Sequence, residues 1–238
     1  MGDARAFETV GAGRDTVRVL KRLLDLLIPS RCAACGARGE PCCARCEGVW
    51  GAAREVVRAP TAGLVRVFAL ARYRGVGRRL LIAYKERGRR DLAPSLGRVL
   101  AEALAVLPLG AAGPGKALCL VPAPSRPSAA RVRGGPHVER LANAAASVLA
   151  ARGIEVVVAP ALELAGSARD AVGLSREQRT ANLAGRLRFR EAGRPPPEFR
   201  IVVLDDVITT GATAAACTRA LAAEGVTVSA VLTLLATG

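Results

Sequence analysis

The sequence predicts an α/β protein: a parallel sheet flanked by helices, with a small cysteine-rich module on its N-terminal side. Three observations carry this. From about residue 64 onward, short apolar runs alternate with segments of helical period, the rhythm of βαβ units. The 238 residues are 51% hydrophobic but only 3% aromatic. Such a core is built from small and branched aliphatics, which suits strands buried on both faces. Ahead of the alternation stand four cysteines in two CxxC pairs, Cys32/Cys35 and Cys43/Cys46.

Taken in order, residues 15–28 place Val17, Leu20, Leu23, Leu24 and Leu27 at helical spacing before Pro29. This is an amphipathic helix that packs on the protein's own body, or alternatively docks on a partner or membrane surface. The two CxxC knuckles are seven residues apart and can close a four-thiolate Zn2+ site, structural because no coordination position is left open. Cys42 adds a fifth thiol, so Cys42-x3-Cys46 is a competing register, and redox or free cysteines are the simpler alternative. Residues 51–63, rich in Ala, Arg and Gly and holding Pro60, read as a linker. The expected organisation is therefore a helix and cysteine module over residues 1–58 and an α/β domain over residues 59–238.

Within that domain, residues 64–73 read as a strand, and 76–87 and 91–106 as helices. A Gly/Pro loop follows at 108–115. Residues 117–121 are a strand, 137–151 a helix and 155–158 a strand. Residues 163–180 read as polar and irregular, 186–189 as a short strand and 194–197 as a Pro-rich loop. Residues 201–204 form a buried strand, 212–223 a helix and 226–235 the last strand. Cys119 and Cys217 fall inside these elements as small core residues.

The formal net charge is +15 and almost entirely arginine, the only lysines being Lys21, Lys85 and Lys116. A basic chain attracts phosphates, nucleotides and nucleic acid. A compositional bias toward Ala, Arg, Gly and Val gives the same excess, and no aromatics are interleaved for base stacking. Residues 1–18 lack a secretory h-region, and no apolar run reaches the roughly 18 residues of a membrane span. The expectation is a soluble, cytoplasmic protein whose cysteines are ligands or core rather than disulfides.

The most specific stretch is IVVLDDVITTGAT at 201–213. An apolar strand ends in Asp205 and Asp206, and a turn of Thr209, Thr210 and Gly211 opens a helix at Ala212 and Thr213. Ligands of open α/β sheets bind beyond the carboxyl ends of strands. Helix N-terminal amides attract phosphate, threonine hydroxyls donate to it, and Gly211 lets the backbone approach it. Acids beside a phosphate site make sense if they accept sugar hydroxyls or hold a cation. The simpler reading is a plain strand–turn–helix with acidic caps. The stretch resembles the binding motif for phosphoribosyl diphosphate (PRPP) of type I phosphoribosyltransferases. That resemblance implies 5′-phosphate in the 209–213 turn and ribose hydroxyls on Asp205 and Asp206.

VPAPSRPSAARVRGG follows the 117–121 strand and resembles the pyrophosphate loop of the same fold. Arg126, Arg131 and Arg133 would supply the charge, with Lys85 as a further candidate; a solvated basic loop is the alternative. His137, the only histidine, opens a helix beside the basic loop; a catalytic histidine is the alternative, but it reads as structural, since no base–nucleophile pair is visible around it. No residue is assigned to catalysis.

The order of the cysteine knuckles, RYRG, YKERGRRDLA, the basic loop, LSREQRTANL and VVLDDVITTGAT resembles the ComF family of bacterial proteins from about residue 20 to 236. The LSREQRTANL stretch matches that family's pattern at Leu174, Ser175, Arg179 and Asn182. The resemblance implies a type I phosphoribosyltransferase fold, structural Zn2+, PRPP with Mg2+, and a link to DNA uptake. Two departures stand out: Gly135, Pro136 and His137 follow the basic loop where the family often has RGFNQ, and Ala171 follows Asp170 where it often has Gln. Transfer of a 5-phosphoribosyl group to an acceptor is the first expectation. A non-catalytic PRPP- or nucleotide-binding adapter among DNA-uptake machinery proteins, or a single-stranded DNA binder, is the alternative. The acceptor is not legible.

Overall fold

The computed structural model describes residues 30–109, 117–125, 135–165 and 186–238. The 15–28 helix, the loop bearing Arg126, Arg131 and Arg133, and the 174–182 segment lie outside the described residues.

A six-stranded sheet runs in the order β1-β2-β8-β7-β3-β4. Its members are β1 (Arg54–Glu55), β2 (Val67–Arg72), β3 (Leu118–Pro122), β4 (Val156–Val158), β7 (Arg200–Ile208) and β8 (Val228–Ala236). All neighbours pair in parallel except β1 with β2. The sheet is therefore mixed, though mostly parallel. The segment 186–189 does not join it: β6 (Leu187–Phe189) pairs antiparallel with β5 (Leu162–Leu164) in a separate ribbon. Residues 162–164 are thus a strand where the sequence reads as irregular from 163, because Leu162 and Leu187 are both buried against the same core.

The helices are α1 (Ala44–Glu47), α2 (Gly75–Glu86), α3 (Ala93–Val106), α4 (His137–Ala151) and α5 (Ala212–Ala222). Two apolar layers sandwich the sheet. Leu80, Leu100 and Leu141 of α2, α3 and α4 pack with Val202 and Leu204 of β7. Ala214, Cys217 and Leu221 of α5 pack with Ile201 and Val203 on the other face. Alternate residues of β7 therefore serve opposite layers, as the two-residue period of a strand dictates.

The chain reverses direction between β3 and β7. From β3 it crosses through α4 to β4 on one side; from β7 it crosses through α5 on the other face to β8 on the opposite side. The carboxyl ends of these two adjacent strands form the crevice where open α/β sheets bind ligands.

The expected linker at 51–63 holds regular structure and long-range contacts, although Thr61 is its one buried residue. Arg54 and Glu55 pair with Ala69 and Phe68, and Ala59–Thr61 forms a 3-10 turn. Its Ala/Arg/Gly/Pro composition conceals long-range contacts, above all those of Arg58 described below. The cysteine module also shares the main core: Cys32, Cys42 and Cys46 are buried in the same cluster as Leu80 and Leu96. Arg79 donates to the Ala34 carbonyl at 2.9 Å, Arg89 to the Arg31 carbonyl at 2.8 Å, and Arg98 to Glu47 at 2.5 Å. Among the described residues no helix is long and apolar enough to cross a membrane.

Helices α3 and α4 approach most closely at Gly97, where an added Cβ would lie 2.4 Å from Ala144 Cβ and 2.8 Å from its carbonyl carbon. The obstruction includes backbone, so no rotamer relieves it. Gly97→Ala is expected to destabilise the protein by about 2 kcal/mol or more, read as a lowered urea midpoint at unchanged m-value.

Candidate functional site

Strand β7 extends past its apolar core through both acids to Ile208, because Asp205 and Val207 still pair with Thr233 and Leu235 of β8. The acids consequently point to opposite faces. Asp206 turns toward α2 and α4. Its Oδ2 lies 2.6 Å from Lys85 Nζ and 2.6 Å from His137 Nε2. His137 opens α4 immediately after Pro136 and is 5% exposed. Its Nδ1 lies 3.2 Å from Ser125 Oγ at the end of the β3 segment. The Tyr84 hydroxyl donates to the His137 carbonyl at 2.7 Å, tying the end of α2 to the start of α4.

Burial opposes ionisation of Asp206. The His137 hydrogen bond and the Lys85 charge outweigh it and hold the carboxyl below its usual range. Asp205 behaves in the opposite way. Burial, then the neighbouring Asp206 charge, pushes it up to about 7, although the Asp206 amide donates to its Oδ1 at 2.8 Å. Two adjacent acids with such different surroundings can occupy different protonation states near neutrality.

Asp205 faces the turn before α5. Gly211 sits at φ +85° as the residue preceding the helix, a conformation that glycine adopts without Cβ strain. The Ala212 amide donates to Thr210 Oγ1 at 3.3 Å. A small cavity of about 20 Å³ is lined by Asp205, Thr209, Gly211, Ala212 and Thr213. That is room for one water. A larger cleft of about 380 Å³ is lined by residues of the 55–67 loop and by neither acid.

Arg58 is the residue that sequence reading missed. Its Nε donates to the Thr209 carbonyl at 2.8 Å, and its guanidinium also reaches the Thr237 carbonyl. A Cβ on Gly211 would meet Arg58 Cβ at 2.8 Å and Thr61 Cγ2 at 3.3 Å. The supposed linker therefore clamps the turn from outside. Only the separation of 151 residues between Arg58 and Thr209 hid it. His137 was weighed and read as structural, its contact with Asp206 hidden because that partner lies 69 residues downstream.

The four thiols of Cys32, Cys35, Cys43 and Cys46 lie within 4.8 Å of one another, with Cys35 and Cys43 sulfurs 3.6 Å apart. Tetrahedral Zn–S bonds of about 2.3 Å place sulfurs roughly 3.8 Å apart, so the set can hold a metal ion. Burial opposes ionisation of Cys32, but amides of Cys43, Cys35 and Ala34 bring its thiol down to about 6. Cys42 stands outside the quartet, and burial pushes its thiol up to about 12. The Cys43 register is the one the geometry adopts, since α1 starts at Ala44 and turns Cys42 into the core. Cys119 and Cys217 are fully buried core residues.

Two outcomes follow from these environments. Cys43→Ser should lose bound metal, measured by elemental analysis, while Cys42→Ser keeps it. The raised Asp205 acid means that the folded state retains a proton which the unfolded chain, at an ordinary value of 3.8, releases. Its contribution to stability therefore falls as pH rises from about 4 to about 7. Asp205→Asn removes that penalty and should melt several degrees above the parent at pH 8, the gap closing near pH 4.

No protein-family model matches the chain, and no curated protein matches it.

Proposed function

We propose that the protein binds a 5-phosphoribosyl compound, PRPP or ribose 5-phosphate, on a type I phosphoribosyltransferase fold. The observation that carries the reading is the end of β7. Paired acids run directly into a turn with Gly211 in the left-handed region, at the N-terminus of the 11-residue helix α5 and beside the β3/β7 crevice. The α5 amides and the hydroxyls of Thr209, Thr210 and Thr213 suit the 5′-phosphate. The acids suit ribose hydroxyls. Asp205 lies on the turn side and Asp206 on the α2/α4 side, so the sugar would bridge the end of the strand between them.

In this reading Arg58 is a positioning residue that holds the turn open. The chemistry is transfer of the phosphoribosyl group to an acceptor, with electrostatic stabilisation of the departing pyrophosphate. Arg126, Arg131 and Arg133 are the proposed pyrophosphate donors. Mg2+ enters only as an escort of the diphosphate, because Asp206 Oδ2 already carries two donors at 2.6 Å and does not fit as a metal ligand. Zinc is the metal proposed for the cysteine quartet, as a structural ion. The same reading makes the chain ComF-like and leaves its link to DNA uptake as part of the proposal.

The test is calorimetric titration with ribose 5-phosphate and PRPP, followed by pyrophosphate detection over a panel of nucleobase acceptors. Binding that raises the melting temperature is expected, and Asp206→Ala and Thr210→Ala should each abolish the shift. An unchanged shift in both variants overturns the site. Binding without pyrophosphate release selects the non-catalytic adapter. Single-stranded DNA should bind weakly with a steep salt dependence; tight binding at physiological salt that ignores PRPP selects the DNA-binding alternative.

A further inference from the structure

The acid pair carries a cation of its own. Lys85 is the penultimate residue of α2, where the helix dipole favours positive charge. Its ammonium lies 2.6 Å from Asp206 Oδ2, and its side chain is 29% exposed. The ammonium of this partly exposed side chain faces a buried carboxylate and has three donors to distribute. It is not placed by chance rotation of a surface lysine. The preceding residue, Tyr84, is buried and hydrogen-bonded to the backbone of His137. Lys85 and His137 thus reach the same oxygen from two helices that are tied together.

His137 Nε2 meets the same Asp206 oxygen, and its Nδ1 lies 3.2 Å from Ser125 Oγ, so both ring nitrogens are engaged by neighbours. Lys85 is the lysine that faces the carboxylate. A divalent ion on the same oxygen would sit at about 2.1 Å. It would then lie within a few ångströms of the ammonium, a like-charge contact that the interior penalises heavily.

We propose that Lys85 is the built-in countercation of the Asp205/Asp206 pair, occupying the place of a divalent metal ion, so that a sugar 5-phosphate binds here without metal. The inference rests on the sugar-phosphate reading above. It assigns the sugar end of the ligand to Lys85 and the acids, and confines any metal requirement to a diphosphate. Asp206 Oδ1, rather than the Oδ2 that Lys85 and His137 share, is the acceptor for a ribose hydroxyl, and the Lys85 ammonium is a donor to the same sugar.

The probe is ribose 5-phosphate, which has no diphosphate. It is titrated calorimetrically into the full chain in buffer freed of Mg2+ by exchange resin rather than by a chelator, which would strip the cysteine quartet, and again with Mg2+ added. The wild type should bind equally in both, within about twofold. A gain of about tenfold or more with Mg2+ overturns the inference while leaving the sugar-phosphate site standing. Absence of binding in both buffers overturns that site and the inference with it. Lys85→Met should lose about tenfold in affinity without metal and regain part of it with Mg2+, while Lys85→Arg should rescue most of the loss. Wild-type affinity in metal-free Lys85→Met also overturns the inference. The wild-type pair of titrations decides the question even if Lys85→Met fails to fold.

Discussion

One oxygen atom, Asp206 Oδ2, fixes the geometry of the crevice. Strand β7, helix α2 and helix α4 each send a side chain to it, and the distances of 2.6 Å from both helices leave no slack. A carboxylate that is 4% exposed is tolerated only when paired and hydrogen-bonded. The pairing costs most of what it gains in desolvation, so its main effect is to specify one arrangement of three elements rather than to add stability. The apolar layer below, with Leu80, Leu141 and Leu204, supplies the adhesion; the charged contact sets where the helices stop.

This explains why the fold was more legible than the site. Helix α4 begins at His137 as the sequence indicates, because Pro136 ends the preceding loop and the apolar period starts at Val138. The apolar part of β7 was equally plain. Its continuation through Asp205 and Asp206 was not, since acids are poor strand formers in isolation and only the ladder to β8 carries them. Residues of the acid–turn stretch are consecutive, so chemistry and position could be read together. Lys85, His137 and Arg58 are brought in from remote segments, and no local pattern announces a partner 69 or 151 residues away.

The cysteine quartet shows the same division. Four thiols at CxxC spacing announce a metal site and favour Cys43, but spacing alone left Cys42 as a competing register. What separates them is tertiary: Cys42 contributes its thiol to the core shared with α2 and α3, while Cys43 turns its own toward Cys35. Because three arginines from the α/β body hold the module's backbone or its Glu47, the module and the sheet share one packing problem. Disorder introduced at the thiols reaches α2 directly, and Lys85 lies in the last turn of α2.

The opposite orientation of Asp205 and Asp206 has a consequence for how this chain can vary. Between β7 and β8 the pairing shifts by one residue, from Ile201↔Val228 to Val202↔Ala230, the extra residue lying on β8, so β7 alternates without interruption from Ile201 to the acids. Deleting a single residue between Ile201 and Asp205 would exchange the two sides, turning Asp206 toward α5 and leaving the Lys85 ammonium facing Val207. Changes by two residues preserve the facing but move the acids along the strand and away from Lys85 and His137. Length in this stretch is therefore constrained twice, by even–odd arithmetic and by reach, whereas the composition of its aliphatic positions is constrained only by volume.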